Sequence, residues 1–207
     1  MSEERYITTG TGQNAPTEQQ NSTQHYDFLM ELGDRLTSAG KYDEARQHYE
    51  KSALLSPDSA WSYVGLGVVA LQKNKLEDAN AAFRAACRLD PKCAKAYAGL
   101  AMISQQQAHY PRAFEMYLKC LELDSDNLAA LLGLFQTSCQ FGSFEKIVHY
   151  LLVYLDMHPG DTSIMFALAA LYMKDGRIAE SREILRNILA LEPCYKDAAN
   201  LLEEIEH

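Results

Sequence analysis

The stretch RLDPKCAKAY, residues 88–97, ends one apolar periodic segment at a proline and begins another within a few residues. Proline has no amide hydrogen and cannot continue a helix, so an Asp-Pro after a periodic segment predicts a helix end followed by a short turn. The proline recurs in a 34-residue register, at Pro57, Pro91, Pro159 and Pro193, with Ser125 in the slot that they skip. The sequence therefore predicts a repeat of this length without insertions.

This register divides the chain into five repeats and a short terminal segment. With position 1 at Tyr26, the repeats are 26–59, 60–93, 94–127, 128–161 and 162–195, followed by 196–207. Position 15 holds Gly40, Asn74, Ala108, Gly142 and Gly176, most of which tolerate a left-handed backbone at a helix end. Apolar residues recur at helical spacing before and after this position. Each repeat is therefore predicted to be two antiparallel helices, which makes the fold class all-α.

The columns of this register resemble the tetratricopeptide repeat. Position 7 is always leucine: Leu32, Leu66, Leu100, Leu134 and Leu168. Position 8 is small in four repeats of five: Gly33, Gly67, Ala101 and Ala169, with Phe135 as the exception. Position 24 holds the large residues Tyr49, Phe83, Tyr117, Leu151 and Leu185. The resemblance implies a right-handed α-solenoid, a superhelix of antiparallel helix pairs.

The two ends of the chain differ from the repeats. Residues 1–25 are rich in Gln, Thr, Asn and Gly and carry few large aliphatic side chains, so they are expected to form a flexible polar tail outside the core. Residues 196–207 place Ala198, Leu201, Leu202 and Ile205 on one helical face. A helix with one apolar face is what the open end of a repeat array requires, so this segment is predicted to be a capping helix.

Repeat four departs from the pattern at three positions together. Phe135, Ile147 and Tyr154 stand where repeat two has Gly67, Ala79 and Ala86. Because native cores have no spare volume, we expect wider helix spacing there. Two interpretations of this difference stay open, a change of superhelical curvature and a purpose-built joint or pocket.

Composition excludes several classes of partner and of location. The chain has 19 basic and 28 acidic residues, a net charge of −9, which disfavours binding to nucleic acid or to anionic lipid. It contains no apolar run long enough to insert in a membrane, and MSEERYITTG lacks the apolar core of a signal peptide. The five cysteines show no Cys-x-x-Cys spacing. A cytoplasmic protein with free thiols is the expectation.

No stretch of the sequence carries a catalytic or cofactor motif in the context that it needs. Residues 65–70, GLGVVA, fit a dinucleotide-binding glycine pattern, but they fall inside a predicted helix with no strand before them. The six histidines form neither an H-E-x-x-H motif nor a paired Cys/His spacing. We therefore expect no cofactor, no metal and no enzymatic activity.

Function is expected on the concave groove, which the resemblance assigns to positions 2, 5, 9, 12 and 13 of each first helix. The predicted groove residues are Met30, Trp61, Val64, Val68, Lys95, Met102, Gln105, Leu132, Gln136, Cys139, Phe166 and Met173. Trp61, Met102, Leu132 and Phe166 are the expected anchors, because large apolar side chains sharing one exposed face usually mark a binding site. For Ala98, Ala129 and Ala170 in the same columns, packing between helices is the expected role.

Members of the resembled family that hold chaperone tails carry a carboxylate clamp of lysine, asparagine and arginine. The matching positions here are Met30, Asp34, Gly65, Lys95 and Gly99. Only the lysine agrees, so a clamp is not expected. The predicted function is instead a protein–protein interaction module that binds a peptide segment of a partner in an apolar groove, as adaptor or scaffold. The alternatives are a chaperone for a secreted or assembling client and a self-associating structural scaffold.

Overall fold

The structure, a computed structural model, describes residues 18–141 and 144–206, with side chains for 22–138, 140 and 144–206. Within these ranges the chain forms eleven helices and no strand. The helices are α1 (Glu18–Ser38), α2 (Tyr42–Leu55), α3 (Ala60–Gln72), α4 (Leu76–Leu89), α5 (Ala94–Gln106), α6 (Tyr110–Leu123), α7 (Leu128–Phe141), α8 (Phe144–Met157), α9 (Thr162–Lys174), α10 (Ile178–Leu191) and α11 (Lys196–Glu206). They pack in consecutive pairs, which confirms the predicted α-solenoid.

The turn inside repeats one, two, three and five has the left-handed backbone predicted for this column. Gly40, Asn74, Ala108 and Gly176 all have positive φ, between 55° and 77°. This conformation ends the first helix and lets the second return beside it. The fifth member of the column, Gly142, lies outside the described residues.

The first helix is longer than the sequence pattern predicts. It begins at Glu18, before the predicted start of the array at Tyr26, so residues 18–25 are helical and the predicted boundary of the tail is too late. Glutamate and glutamine are good helix formers, and a packed helix extends at little cost through such residues. The predicted tail residues 1–17 lie outside the described residues.

In the first three repeats an aromatic ring on the second helix fills the space between successive first helices. Tyr49 lies against Gly33 of its own repeat and Gly65 of the next, and Phe83 lies in the same way against Gly67 and Gly99. A Cβ added to Gly65 would come within 2.5 Å of the Tyr49 ring, so only glycine allows this approach. Tyr117 and Gly133 repeat the arrangement between repeats three and four.

Repeat four reverses this arrangement. Leu151 takes the position of the ring on α8, and Phe135 supplies a ring from α7 instead. Ile147 and Tyr154 are both buried in the same interior. The helices α7 and α8, and likewise α8 and α9, approach each other less closely than the corresponding helices elsewhere in the array. The wider spacing predicted for repeat four is therefore confirmed.

The last helix, α11, packs against α10 at the end of the array. Ala198 is fully buried there, and Leu201, Leu202 and Ile205 pack against the same core. Among the described helices none has both the length and the apolar character that crossing a membrane would require.

Candidate functional site

The first helices of the repeats, α1, α3, α5, α7 and α9, carry the predicted groove residues, and the face that they form is called the groove below. Three of the four expected anchors are exposed on it: Trp61 is 50% exposed, Met102 46% and Leu132 41%. Lys95 and Gln136 are exposed as well. The structure therefore leaves large apolar side chains in contact with solvent on α3, α5 and α7.

An open cleft of about 440 Å³ lies in the groove between α5 and α7. Its lining combines apolar side chains with three glutamines: Leu71, Met102, Gln105, Gln106, Tyr117, Ala129, Leu132, Gly133 and Gln136. Four of the predicted groove residues, Met102, Gln105, Leu132 and Gln136, meet here. Clefts of this size, mostly apolar with a few placed polar groups, are typical of ligand sites.

The floor of the cleft depends on the absence of one side chain. Gly133 has no Cβ, so the ring of Tyr117 reaches under α7 and stays 3% exposed. From there the Tyr117 hydroxyl donates to Oε1 of Gln105 at 2.7 Å. Burial raises the pKa of Tyr117 to about 12, so the hydroxyl keeps the proton that it donates to Gln105.

Carboxamide groups link neighbouring repeats along the same face. Gln105 Nε2 donates to Gln136 Oε1 at 2.8 Å, which joins repeat three to repeat four. Gln106 Nε2 donates to Asn74 Oδ1 at 2.8 Å, which joins repeat three to repeat two. These bonds hold exposed side chains in defined orientations beside the apolar cleft.

Tyr49 makes the corresponding contact at the first repeat, but to different partners. Its hydroxyl donates to Asp34 Oδ1 at 2.6 Å and lies 3.2 Å from the Thr37 hydroxyl. Burial, and then the bond to the Asp34 carboxylate, raises the pKa of Tyr49 above its usual value. The groove is therefore acidic at repeat one and lined by carboxamides at repeats three and four.

Two predicted residues, Trp61 and Lys95, meet at the beginning of α3 and α5. The Lys95 ammonium lies 5.2 Å from the centre of the Trp61 ring, within the range of a cation–π interaction. The contact joins repeat two to repeat three. It also occupies the lysine that alone matches a carboxylate clamp.

Other predicted residues are placed in packing contacts. Val64 is only 7% exposed and belongs to the core of repeats two and three. Phe166 is half-buried, with its ring centre 5.5 Å from that of Tyr195. The sulfur of Met30 accepts from the Ser52 hydroxyl at 3.3 Å. Val68 and Met173 are half-buried, and the side chain of Cys139 lies outside the described part of the structure.

Sequence reasoning missed the two floor residues, Tyr117 and Gly133. A signal for them exists in the columns, because each aromatic residue at position 24 is followed by a glycine at position 6 of the next repeat. The pairs are Tyr49 and Gly65, Phe83 and Gly99, and Tyr117 and Gly133. In repeat four position 24 is Leu151, and position 6 of the following repeat is then Ala167.

A second cavity, of about 240 Å³, lies between α2, α3 and α4 on the other side of the array. It forms at Ala82, because the other repeats have larger residues in this column, namely His48, Met116, Tyr150 and Ile184. Arg46 and Glu50 at its rim bond to each other at 2.7 Å. The cavity is therefore a gap in packing with paired charges at its edge, and the cleft in the groove is the better candidate site.

A protein-family model described as tetratricopeptide repeat matches residues 30–94 and, one repeat later, 64–128. The chain is built of tetratricopeptide repeats. Tetratricopeptide repeats are non-catalytic interaction modules. No curated protein matches this tetratricopeptide array.

Solved structures share the fold at low sequence identity. A Pseudomonas aeruginosa pilF structure is 19% identical with a TM-score of 0.69, over 82% of this chain and 77% of that chain. YrrB, described as a TPR protein with an unusual peptide-binding site, is 16% identical with a TM-score of 0.65, over 84% and 90%. The first TPR domain of RPAP3, bound to an HSP90 peptide, is 25% identical with a TM-score of 0.53, over 58% and 95%.

Proposed function

We propose that this tetratricopeptide array is a protein–protein interaction module, an adaptor or scaffold, that binds a peptide segment of a partner at the cleft between α5 and α7. The observation that carries the proposal is the exposure of Met102 and Leu132 on either side of that cleft. Exposed apolar side chains that share a concave site with a few oriented polar groups are typical of peptide recognition. The peptide-bound RPAP3 domain and the peptide-binding site of YrrB support the same class of function.

The peptide is expected to be apolar and not a carboxylate-bearing chaperone tail. Two clamp positions are Gly65 and Gly99, and each lies against an aromatic ring that leaves no room for an asparagine side chain. Lys95 is engaged with Trp61. A segment with one large apolar residue for the cleft suits the side chains that are present.

A cytoplasmic location is part of the same proposal. Cys87, Cys93, Cys120 and Cys194 are free thiols in the structure. Unpaired cysteines in this number suit a reducing compartment.

The test uses random dodecapeptides displayed on phage and selected on the full chain. Changing Met102 and Leu132 together to serine should weaken binding of the selected peptides by about 2–4 kcal/mol, roughly 30- to 1,000-fold, because these side chains are the apolar contacts of the cleft. The matched control changes Leu54 and Leu152, two exposed leucines on second helices, to serine. Titration calorimetry measures affinity, and circular dichroism checks folding.

The control variant should bind as wild type does. A folded Met102/Leu132 double variant that binds the selected peptides with unchanged affinity would overturn the proposal. So would a selection that retains no peptide on the wild-type chain.

Self-association is a second candidate function, and Phe28 favours it. Position 3 of every later first helix is buried against the preceding repeat, at Ser62, Ala96, Ala130 and Ile164. Phe28 holds that position on α1 and is 59% exposed. The end of a second copy would cover it in a head-to-tail stack. Sedimentation velocity should then show a mass that rises with concentration and returns to the monomer value in Phe28→Ser; a monomer at every concentration would exclude this candidate.

A further inference from the structure

The hydrogen bonds under the cleft run in one direction. The Tyr117 hydroxyl donates to Oε1 of Gln105, and Nε2 of Gln105 donates to Oε1 of Gln136. Each carboxamide has one acceptor end and one donor end, so fixing the first end of the series fixes every later one. The last group, Nε2 of Gln136, is a donor on an exposed side chain beside Leu132.

Tyr117 is the buried member of this series of hydrogen bonds. Its ring is buried between α5, α6 and the glycine of α7, so it cannot follow the movements of the exposed glutamines. A phenol can donate or accept, and here its one hydrogen is directed at Oε1 of Gln105, which orients the Gln105 carboxamide. Phe83, at the same column of repeat two, fills its space with a ring that has no hydroxyl. Packing at this column does not require the oxygen, and the Tyr117 hydroxyl is available for another role.

A fixed donor next to an apolar cleft favours one backbone conformation of the ligand. In a helix the carbonyl groups accept hydrogen bonds from the amides four residues later, and only the last four are free. In an extended segment the carbonyl groups stay free. Successive side chains point to opposite faces, and a carbonyl group lies between each pair of them. One apolar side chain can then enter the cleft while a neighbouring carbonyl accepts from Gln136.

We infer that Tyr117 is a positioning residue for ligand recognition, which acts through Gln105 to hold Gln136 as a donor, and that the cleft consequently selects an apolar peptide segment in extended conformation over a helix. This inference rests on the proposed function, because it assumes that the cleft binds peptide. To the proposed function it adds the conformation of the bound peptide and the positioning role of Tyr117, a buried residue that the peptide does not touch.

The test compares Tyr117→Phe with Tyr49→Phe, since both variants lose a hydroxyl from the same column. Tyr49 bonds instead to Asp34 and Thr37 of repeat one, so its variant is the matched control. The probes are the dodecapeptides selected on the wild-type chain, and one of them held helical by a side-chain staple. Tyr117→Phe should lower the affinity for the linear peptides by about three- to tenfold, which is the effect of one net hydrogen bond. Tyr49→Phe should leave this affinity unchanged.

Two further measurements separate positioning from a merely structural role. The side-chain amide signals of Gln105 and Gln136 in NMR spectra of the free protein should shift in Tyr117→Phe and stay in place in Tyr49→Phe. The preference for the linear over the stapled peptide should shrink only in Tyr117→Phe.

The outcomes distinguish the inference from the proposed function. Peptides that require Met102 and Leu132 but bind wild type and Tyr117→Phe equally would overturn the inference and leave the proposed function standing. A wild-type chain that prefers the stapled helix would also overturn it. If the selection retains no peptide at all, the proposed function fails and this inference fails with it.

Discussion

Repeats two and four follow the same 34-residue register but fill their interiors from opposite helices. In repeat two the ring belongs to the second helix, where Phe83 lies between Gly67 and Gly99. In repeat four the ring belongs to the first helix, as Phe135, and the second helix supplies Leu151. The helices of repeat two approach closely and those of repeat four do not.

Register and helix spacing are therefore set by separate features of the sequence. The prolines and the turn residues, which have positive φ in repeats one, two, three and five, follow one register although the interiors of the repeats differ. Spacing follows from the summed volume of facing columns, because cores tolerate neither voids nor overlap. Repeat four therefore keeps its place in the array while it changes the distance between its helices.

The largest loss of stability is expected when α8 receives an aromatic ring at the position of Leu151. Leu151→Tyr should destabilise the protein by about 3 kcal/mol, because Phe135 and Ala167 already occupy the space that the ring needs. Adding Phe135→Ala and Ala167→Gly recreates the arrangement around Tyr117 and should recover at least half of the loss. Urea denaturation measures both. A triple variant no more stable than the single one would show that the facing columns do not set the packing.

A smaller effect is expected from enlarging the same column in both repeats. Ala79→Leu should cost about 2 kcal/mol in the close-packed repeat two, and Ile147→Phe about 1 kcal/mol in repeat four, where the helices stand further apart. Both residues are fully buried, so exposure does not separate them. Thermal melts measure the two losses, and equal values would contradict the spacing argument.

The smallest effect has the opposite sign. Ala82→Met should stabilise the protein by about 0.5–1 kcal/mol, since methionine fits the same column in repeat three, as Met116, and would fill the cavity between α2 and α4. Ala190→Met is the control for a general effect of added apolar surface, because Ala190 is exposed on the second helix α10 and does not line the cavity. The melting temperature should rise only for Ala82→Met. A loss of stability there would mean that the cavity cannot accept a side chain.

Much of the fold follows from the sequence because its signals are local. The prolines and the turn column predict the helix ends of repeats two to five to within a few residues. The start of α1 is harder to predict, although Thr17-Glu18-Gln19-Gln20 fits a capping box, because polar residues without apolar periodicity are equally typical of a tail.

The site follows from the sequence only in part. The family columns bring Met102, Gln105, Leu132 and Gln136 to one cleft. They treat every repeat alike, so they do not show that Phe166 packs against Tyr195 at the end of the array. The hydrogen bonds from Tyr117 depend on side-chain rotamers across two repeats, which a column of residue types does not specify.

Peptide binding at the cleft between α5 and α7 can be observed directly by methyl NMR of the methionines. Met102 lies in the cleft, whereas Met157 is exposed at the end of the second helix α8, outside the groove. Titration of the ¹³C-methyl-labelled chain with a selected dodecapeptide should shift the Met102 signal most and leave that of Met157 unchanged. A shift of Met157 with Met102 unmoved would place binding on another face and contradict the account.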